Sequence, residues 1–309
     1  MRERKGFLQV LQYKFHEMTL TWLEGMRYKL QDGGTLFGPV PKAVWQRFFP
    51  VNEANQIPEV LAPILIQYQG KNYLIDAGLG TDKLSEKQRR NLGVHSESRL
   101  VESLAELELT PEDIDVLLMT HMHNDHAGGL TRKTETGELV STFPNATIYM
   151  TGIEWQEVRE PNDRTKGTYL KENWEAIQDQ VVTFERKLQV APGLTMIHAG
   201  GHSRGMAIVK LDQADDTMLH MSDLMLTHAH KNPLWVGAVD DYPMESVAAK
   251  QEWLPQAFAK QWKFFFYHDP FYAVLQYDET GSEIVFHLDR EVEPLTTWSD
   301  TQDKRLPFA

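Results

Sequence analysis

His121-Met122-His123-Asn124-Asp125-His126-Ala127-Gly128-Gly129 follows directly on a short apolar run, Asp115-Val116-Leu117-Leu118-Met119. Three imidazoles and a carboxylate within six residues, just past a strand, present several nitrogen and oxygen ligands at one rim. Such donors suit zinc, manganese, iron or cobalt rather than calcium or magnesium. The alternative is a polar loop that happens to be rich in histidine. The i, i+2, i+4, i+5 spacing of His, His, Asp and His favours a metal site.

The surrounding chain has 309 residues, 41% of them hydrophobic, including 14 Phe, 10 Tyr and 8 Trp. That is ample for a substantial core, in one large α/β domain or two smaller ones. The net charge of −13 and the lack of a basic stripe argue against a nucleic-acid partner. With no cysteine, neither a disulfide framework nor a thiolate nucleophile or ligand is available. Gln9, Gln12, Lys14 and His16 interrupt the N-terminal region, and no stretch reaches membrane-spanning length. The expectation is a soluble cytoplasmic protein without a signal peptide or membrane partner. The Asn145-Ala146-Thr147 sequon is then a chance match.

Outward from the motif, residues 1–17 read as an arm with helical character, 18–295 as the main domain and 296–309 as a polar tail. Strands are expected at 19–23, 63–68, 73–76, 115–119, 146–150, 194–198, 206–211, 217–221, 263–267, 271–276 and 283–287. Helical patterns fall at 83–91, 98–107, 152–159, 171–181 and 243–260, and Thr110-Pro111-Glu112-Asp113 has the chemistry of a short helix start. Strands and helices mix without strict alternation, which points to two sheets packed together with helices outside. Residues 31–58 form a long segment rich in Phe37, Trp45, Phe48 and Phe49, read either as core packing or as a substrate-contacting loop. Three later positions repeat the pattern of a strand ending in a ligand type: His202 after Gly200-Gly201, Asp223 after Ser222, and His268 after Tyr267. Glycine at 200 and 201 lets the backbone approach a metal closely.

This order, HxHxDH, then Gly-Gly-His, then Ser-Asp, then a strand-end His, resembles the metallo-β-lactamase superfamily over residues 18 to 290. Asp76-Ala77-Gly78 resembles that superfamily's early aspartate–glycine element. The resemblance implies an αββα sandwich of two mixed β-sheets flanked by helices. It also implies two divalent ions, zinc first, with manganese, cobalt or iron as alternatives. By position, His121, His123 and His202 would bind one ion, Asp125, His126 and His268 the other, and Asp223 both. A hydroxide shared by the ions would be the nucleophile, and Asp125 would carry a proton to the leaving group.

Within the superfamily, the better-known zinc β-lactamases use a cysteine where this chain has Asp223, and flavo-diiron members carry Glu where it has His123. Nuclease members should bind a polyanion, which the charge disfavours. The runs at 21–23, 32–41 and 51–57 look like the quorum-quenching N-acyl-homoserine lactone hydrolases, in their longer bacillus-type branch. The implied function is opening of a neutral acyl lactone, with Phe37, Trp45, Phe48, Phe49 and Trp235 as acyl-chain contacts and a homodimer as the assembly. One departure stands out. A tyrosine that some of these lactonases carry three residues after the bridging aspartate is Leu226 here. His228 or His230 would then be the replacement donor, unless both belong to a polar loop. Failing that, the site leans toward organophosphate triester hydrolysis of the methyl-parathion-hydrolase type.

Overall fold

The computed structural model describes residues 10–94 and 96–291. The chain opens with β1 (Leu11–Phe15), β2 (Met18–Trp22), β3 (Met26–Asp32), α1 (Gly33–Phe37), α2 (Lys42–Trp45), β4 (Gln56–Leu61), β5 (Ile64–Tyr68) and β6 (Lys71–Ile75). It continues through α3 (Glu86–Asn91), α4 (Leu100–Ala105), β7 (Val116–Leu118), α5 (Asn124–Ala127), β8 (Thr131–Lys133), β9 (Leu139–Ser141), β10 (Thr147–Thr151) and α6 (Gly152–Arg159). The last part comprises β11 (Val181–Phe184), β12 (Lys187–Ala191), β13 (Leu194–His198), β14 (Ala207–Gln213), β15 (Asp216–His220), α7 (Pro243–Ala259), β16 (Lys263–Phe265), β17 (Tyr272–Tyr277) and β18 (Ile284–Asp289).

Two seven-stranded sheets result, ordered β1-β2-β5-β6-β7-β10-β11 and β12-β13-β14-β15-β16-β17-β18, with β3–β4 and β8–β9 as separate two-stranded ribbons. Successive strand residues face opposite sides, and this alternation sorts the apolar residues into layers. Ile64 and Ile66 of β5 share a core with Leu20, Ile75 and Leu118 of their own sheet and with Met196, Val209 and Val274 of the other. Leu65 points the opposite way, with Leu74 and Leu117, against Leu100 and Leu104 of α4. Beyond the second sheet, Ile208, Leu219 and Phe264 pack on Ala249, Leu254 and Ala257 of α7. The layers are therefore helix, sheet, sheet, helix: the expected αββα sandwich.

The parallel pairs set the functional rim. β6, β7 and β10 run parallel in the first sheet, and β15 and β16 do so in the second. The C-terminal ends of β6, β7, β15 and β16 hand the chain to Asp76, His121, Asp223 and His268.

Several expectations need correction. The part of the N-terminal arm that is described, residues 10–17, holds no helix; Leu11–Phe15 is an edge strand paired antiparallel with β2. The tail at 296–309 and the boundary at 295 lie outside the described residues. Residues 171–181 hold two 3-10 turns instead of one helix, because Trp174 has φ −131° between them. Residues 31–58 are not one open loop: they carry α1, α2 and the ends of the β3–β4 ribbon. Their aromatic side chains are core. Phe37 and Phe49 are 0% exposed and Trp45 is 1% exposed, and Phe37 stacks between Trp45 and His230 with centroid distances of 5.1 and 4.7 Å. Trp45 lies so close over Gly33 that a Cβ there would fall 2.1 Å from its ring.

Truncating this stack removes buried aromatic volume that nothing can refill. Trp45→Ala is expected to lower unfolding stability by about 3–5 kcal/mol, read as a shift of the urea midpoint with an unchanged slope.

Candidate metal centre

The motif loop is held from below by Asp76, a fully buried carboxylate at the end of β6. It accepts from Thr120 N at 2.8 Å and Thr120 Oγ1 at 2.8 Å, and lies 2.8 Å from His126 Nδ1. Asp76 takes φ +56° and Ser222 φ +48°, a left-handed backbone that costs free energy in a non-glycine residue. Both strained positions adjoin the proposed ligands. The glycines that close the motif allow a backbone-to-backbone approach: a Cβ on Gly128 would meet Leu79 O at 1.9 Å, and one on Gly129 would meet Ala77 O at 1.9 Å. On the other side, Glu154 ties two loops together. It accepts from Met122 N at 2.8 Å, Tyr169 OH at 3.0 Å and Ser203 Oγ at 2.6 Å, and burial pushes its carboxyl upward.

All seven side chains expected as metal ligands are brought together. Three groups have ligand atoms within 4.8 Å of one another: His121, His123 and His202; His121, His126 and Asp223; Asp125, His126 and His268. Asp223 is at the centre. Its Oδ2 lies 3.2 Å from His202 Nε2, 3.3 Å from His126 Nε2 and 3.8 Å from His121 Nε2, and its Oδ1 lies 3.3 Å from His268 Nε2.

Each imidazole has an oxygen behind it. His126 Nδ1 faces Asp76; His202 Nδ1 lies 2.8 Å from Asp240 Oδ1; His268 Nδ1 lies 3.0 Å from both Glu59 Oε1 and Val60 O. His123 Nε2 lies 3.5 Å from Asp241 Oδ2. Thr120 Oγ1 donates to Asp76, so its lone pairs are left for Ser222 Oγ–H at 2.9 Å and His121 Nδ1 at 3.0 Å. These acceptors place the protons on the outer nitrogens, the arrangement that orients imidazoles on a metal. In the neutral rings the inner nitrogens would then meet lone pair to lone pair, His123 Nδ1 to His202 Nε2 at 2.9 Å and His126 Nε2 to His268 Nε2 at 3.0 Å. His121 Nε2 and Asp223 Oδ1 are buried without a hydrogen bond. A cation resolves each of these contacts, and all-N/O donors fit a divalent one.

The electrostatics agree. Burial opposes charge on His126, yet Asp223 and Asp76 raise it well above its ordinary value; His202, likewise opposed by burial but favoured by Asp223 and Asp240, is raised to about 9. Burial and its neighbours His126 and His123 push His121 far down. Asp223 is held well below the usual carboxylate range by His126, His268 and His202 despite burial. The cluster demands positive charge at its centre.

A cavity of about 330 Å³ opens over this floor, lined among others by Lys29, Gln31, Leu36, Asn124, Arg164, Leu226 and Val239. None of Phe37, Trp45, Phe48, Phe49 and Trp235 lines it, so the expected acyl-chain contacts fall in or against the core instead. His228 is also displaced from the expected role. It is 6% exposed, its backbone N–H and Nδ1 both meet Asp269 Oδ2 at 2.7 Å, and Phe49 and Tyr272 flank its ring. Nor is His230 a donor to the cavity: it bridges Thr227 Oγ1 and Leu36 O, and burial pushes it down to about 3. Neither belongs to an exposed polar loop. Lys29, Glu59, Glu154, Asp240 and Asp241 were not singled out from the sequence. Of these only the paired aspartates, ahead of a proline-started helix, offered a local signal.

Comparison with known proteins gives a consistent picture. Residues 63–254 match the Metallo-beta-lactamase superfamily. Over 143 residues the chain is 30% identical to the N-acyl homoserine lactonase AiiB of Rhizobium rhizogenes, a match that covers 45% of this chain. The AiiB of Agrobacterium fabrum matches at the same identity, and the chain spans about half the length of these curated relatives. A solved structure of a probable metal-dependent hydrolase from Staphylococcus aureus is 43% identical, with a TM-score of 0.86, over 90% of this chain and 99% of that one. AidC, a dizinc quorum-quenching lactonase in complex with a product, is similar in fold, with a TM-score of 0.72 at 18% identity over 91% of this chain and 97% of that one.

Asp223→Ala and His123→Ala are each expected to leave the purified protein with less than its full metal content by elemental analysis. Asp240→Asn, which removes only the charge behind His202, should weaken metal binding by about 10–100-fold in a competition titration. Unchanged metal retention in all three would refute the site.

Proposed function

This chain belongs to the metallo-beta-lactamase superfamily, and we propose that within it the protein is a dinuclear metal-dependent hydrolase that opens the lactone ring of N-acyl-homoserine lactones. The observation that carries the reading is the convergence of five oxygen-backed imidazoles, four of them on Asp223, at the floor of a cavity. His121, His123 and His202 would hold one ion, Asp125, His126 and His268 the other, with Asp223 common to both. Zinc is the first choice for such N/O donors. Bound there, two divalent ions would activate water at neutral pH and polarise a carbonyl.

The chain's own residues supply the rest. Asp125 reaches the cavity, and Lys29, His126 and His268 hold its carboxyl well below the usual range although burial alone would raise it. From that position Asp125 would take a proton from the attacking water and return it to the departing ring oxygen. Leu36, Leu226 and Val239 give the cavity an apolar wall suited to an acyl chain. The lactonase names among the relatives support the same reading.

A second reading, hydrolysis of aryl phosphotriesters, is favoured by Leu226 alone, since that wall offers no hydroxyl to a lactone carbonyl.

The deciding measurement is turnover of metal-loaded protein on N-hexanoyl-homoserine lactone beside an aryl phosphotriester, with a chelated control. Lactone opening is expected to dominate and to vanish on chelation; dominant phosphotriester cleavage would promote the second reading. Asp125→Asn should lower kcat by about 100-fold or more while KM stays within a few-fold. A loss confined to KM would remove Asp125 from proton transfer.

A further inference from the structure

Lys29 and Glu59 stand directly opposite each other on the β3–β4 ribbon, 7% and 2% exposed. Lys29 Nζ lies 3.3 Å from Glu59 Oε2 and 3.3 Å from Asp125 Oδ2. The other oxygen of Glu59, Oε1, lies 3.0 Å from His268 Nδ1. The path Asp125–Lys29–Glu59–His268 thus begins and ends on two candidate ligands of the same ion. No counterpart stands at the His121–His123–His202 group among the described residues. There the groups behind the imidazoles are Thr120, Asp241 and Asp240. Arg164 touches Asp241 and not a ligand, and its side chain is 54% exposed to solvent.

Elsewhere in the centre, the groups behind the imidazoles are neutral or anionic. A buried ammonium on a ligand carboxylate is the exception, and it works against a divalent ion: it offsets part of the negative charge that would hold the ion and repels the ion itself where solvent screening is weak. Glu59 acts in the opposite sense, since a carboxylate behind a ligand histidine raises its basicity. The two members of one cross-strand pair therefore pull the same site in opposite directions. We propose that the Lys29–Glu59 pair sets the affinity of the Asp125–His126–His268 site, the cation lowering it and the carboxylate raising it, so that the two metal sites fill unequally and in order. The inference rests on the two-metal reading given above.

Stepwise titration of zinc into the chelator-stripped full chain, against a chromophoric competitor, tests it without reference to substrate. The wild type is expected to take up two equivalents in resolved steps. Lys29→Met should tighten the weaker step about tenfold or more, Glu59→Gln should weaken that step about tenfold or more, and Lys29→Arg should stay near the wild type. The tighter step should not move in any of them. If Lys29→Met does not fold, Lys29→Gln carries the same expectation. Weakening by both the neutral lysine variant and Glu59→Gln would mark the pair as merely structural and overturn the proposal, as would equal changes in both steps or no change. A single equivalent in the wild type would overturn the two-metal reading and this inference with it, whereas two equivalents with the wrong sign at Lys29 would overturn this inference alone.

Discussion

The centre depends first on one buried carboxylate. Asp76 receives the backbone and hydroxyl of Thr120 and faces His126, so a single side chain fixes the ends of β6 and β7 and the motif helix α5. Hydrogen bonds to a charged group contribute about 1.5–3 kcal/mol each, enough to offset the left-handed backbone that Asp76 itself adopts. Through Thr120 the same carboxylate reaches His121 and, via Ser222, the neighbour of Asp223. Each of the three groups of candidate ligands contains His121 or His126 and is thereby referred to one anchor.

Much of this was legible because a ligand residue at a strand end leaves a local signature. Apolar runs stop, and a His or Asp follows at once: at 121, 202, 223 and 268 such positions can be read without knowing which strands are neighbours. The αββα layering was readable for the same reason, since each strand carries its own alternation. The groups behind the ligands were not. Glu59 is a mid-strand residue whose partner His268 lies near the other end of the chain, and only the docking of the β3–β4 ribbon onto the loop after β16 brings them together. The β3–β4 ribbon escaped because charged residues occupy β3 and Pro58 lies within β4, both marks against a strand.

The aromatic segment at 31–58 shows where composition stops informing. Phe37, Trp45 and Phe49 are equally at home in a pocket wall or a core, and nothing in their spacing separates the two. Packing decides it: stacked on His230 and pressed onto Gly33, they support the second sheet from outside. Their contribution is to the stiffness of the cavity wall, which Leu36 completes on its inner side. His228 and His230 follow the same logic. Each uses its polar atoms inside the core, so a histidine two positions from Leu226 in sequence is no substitute for a hydroxyl in space.

The candidate ligands are divided between the sheets: 121, 123, 125 and 126 follow the first, while 202, 223 and 268 follow strands of the second. A cation held by the full set binds the docked state more tightly than it binds either sheet alone. Its binding then favours docking by up to RT ln(1 + [M]/Kd), less whatever the motif loop binds on its own. The centre is thus a clasp between the two sheets. Until the two halves meet no complete binding site exists, and once an ion is held, separation of the sandwich must wait for its release.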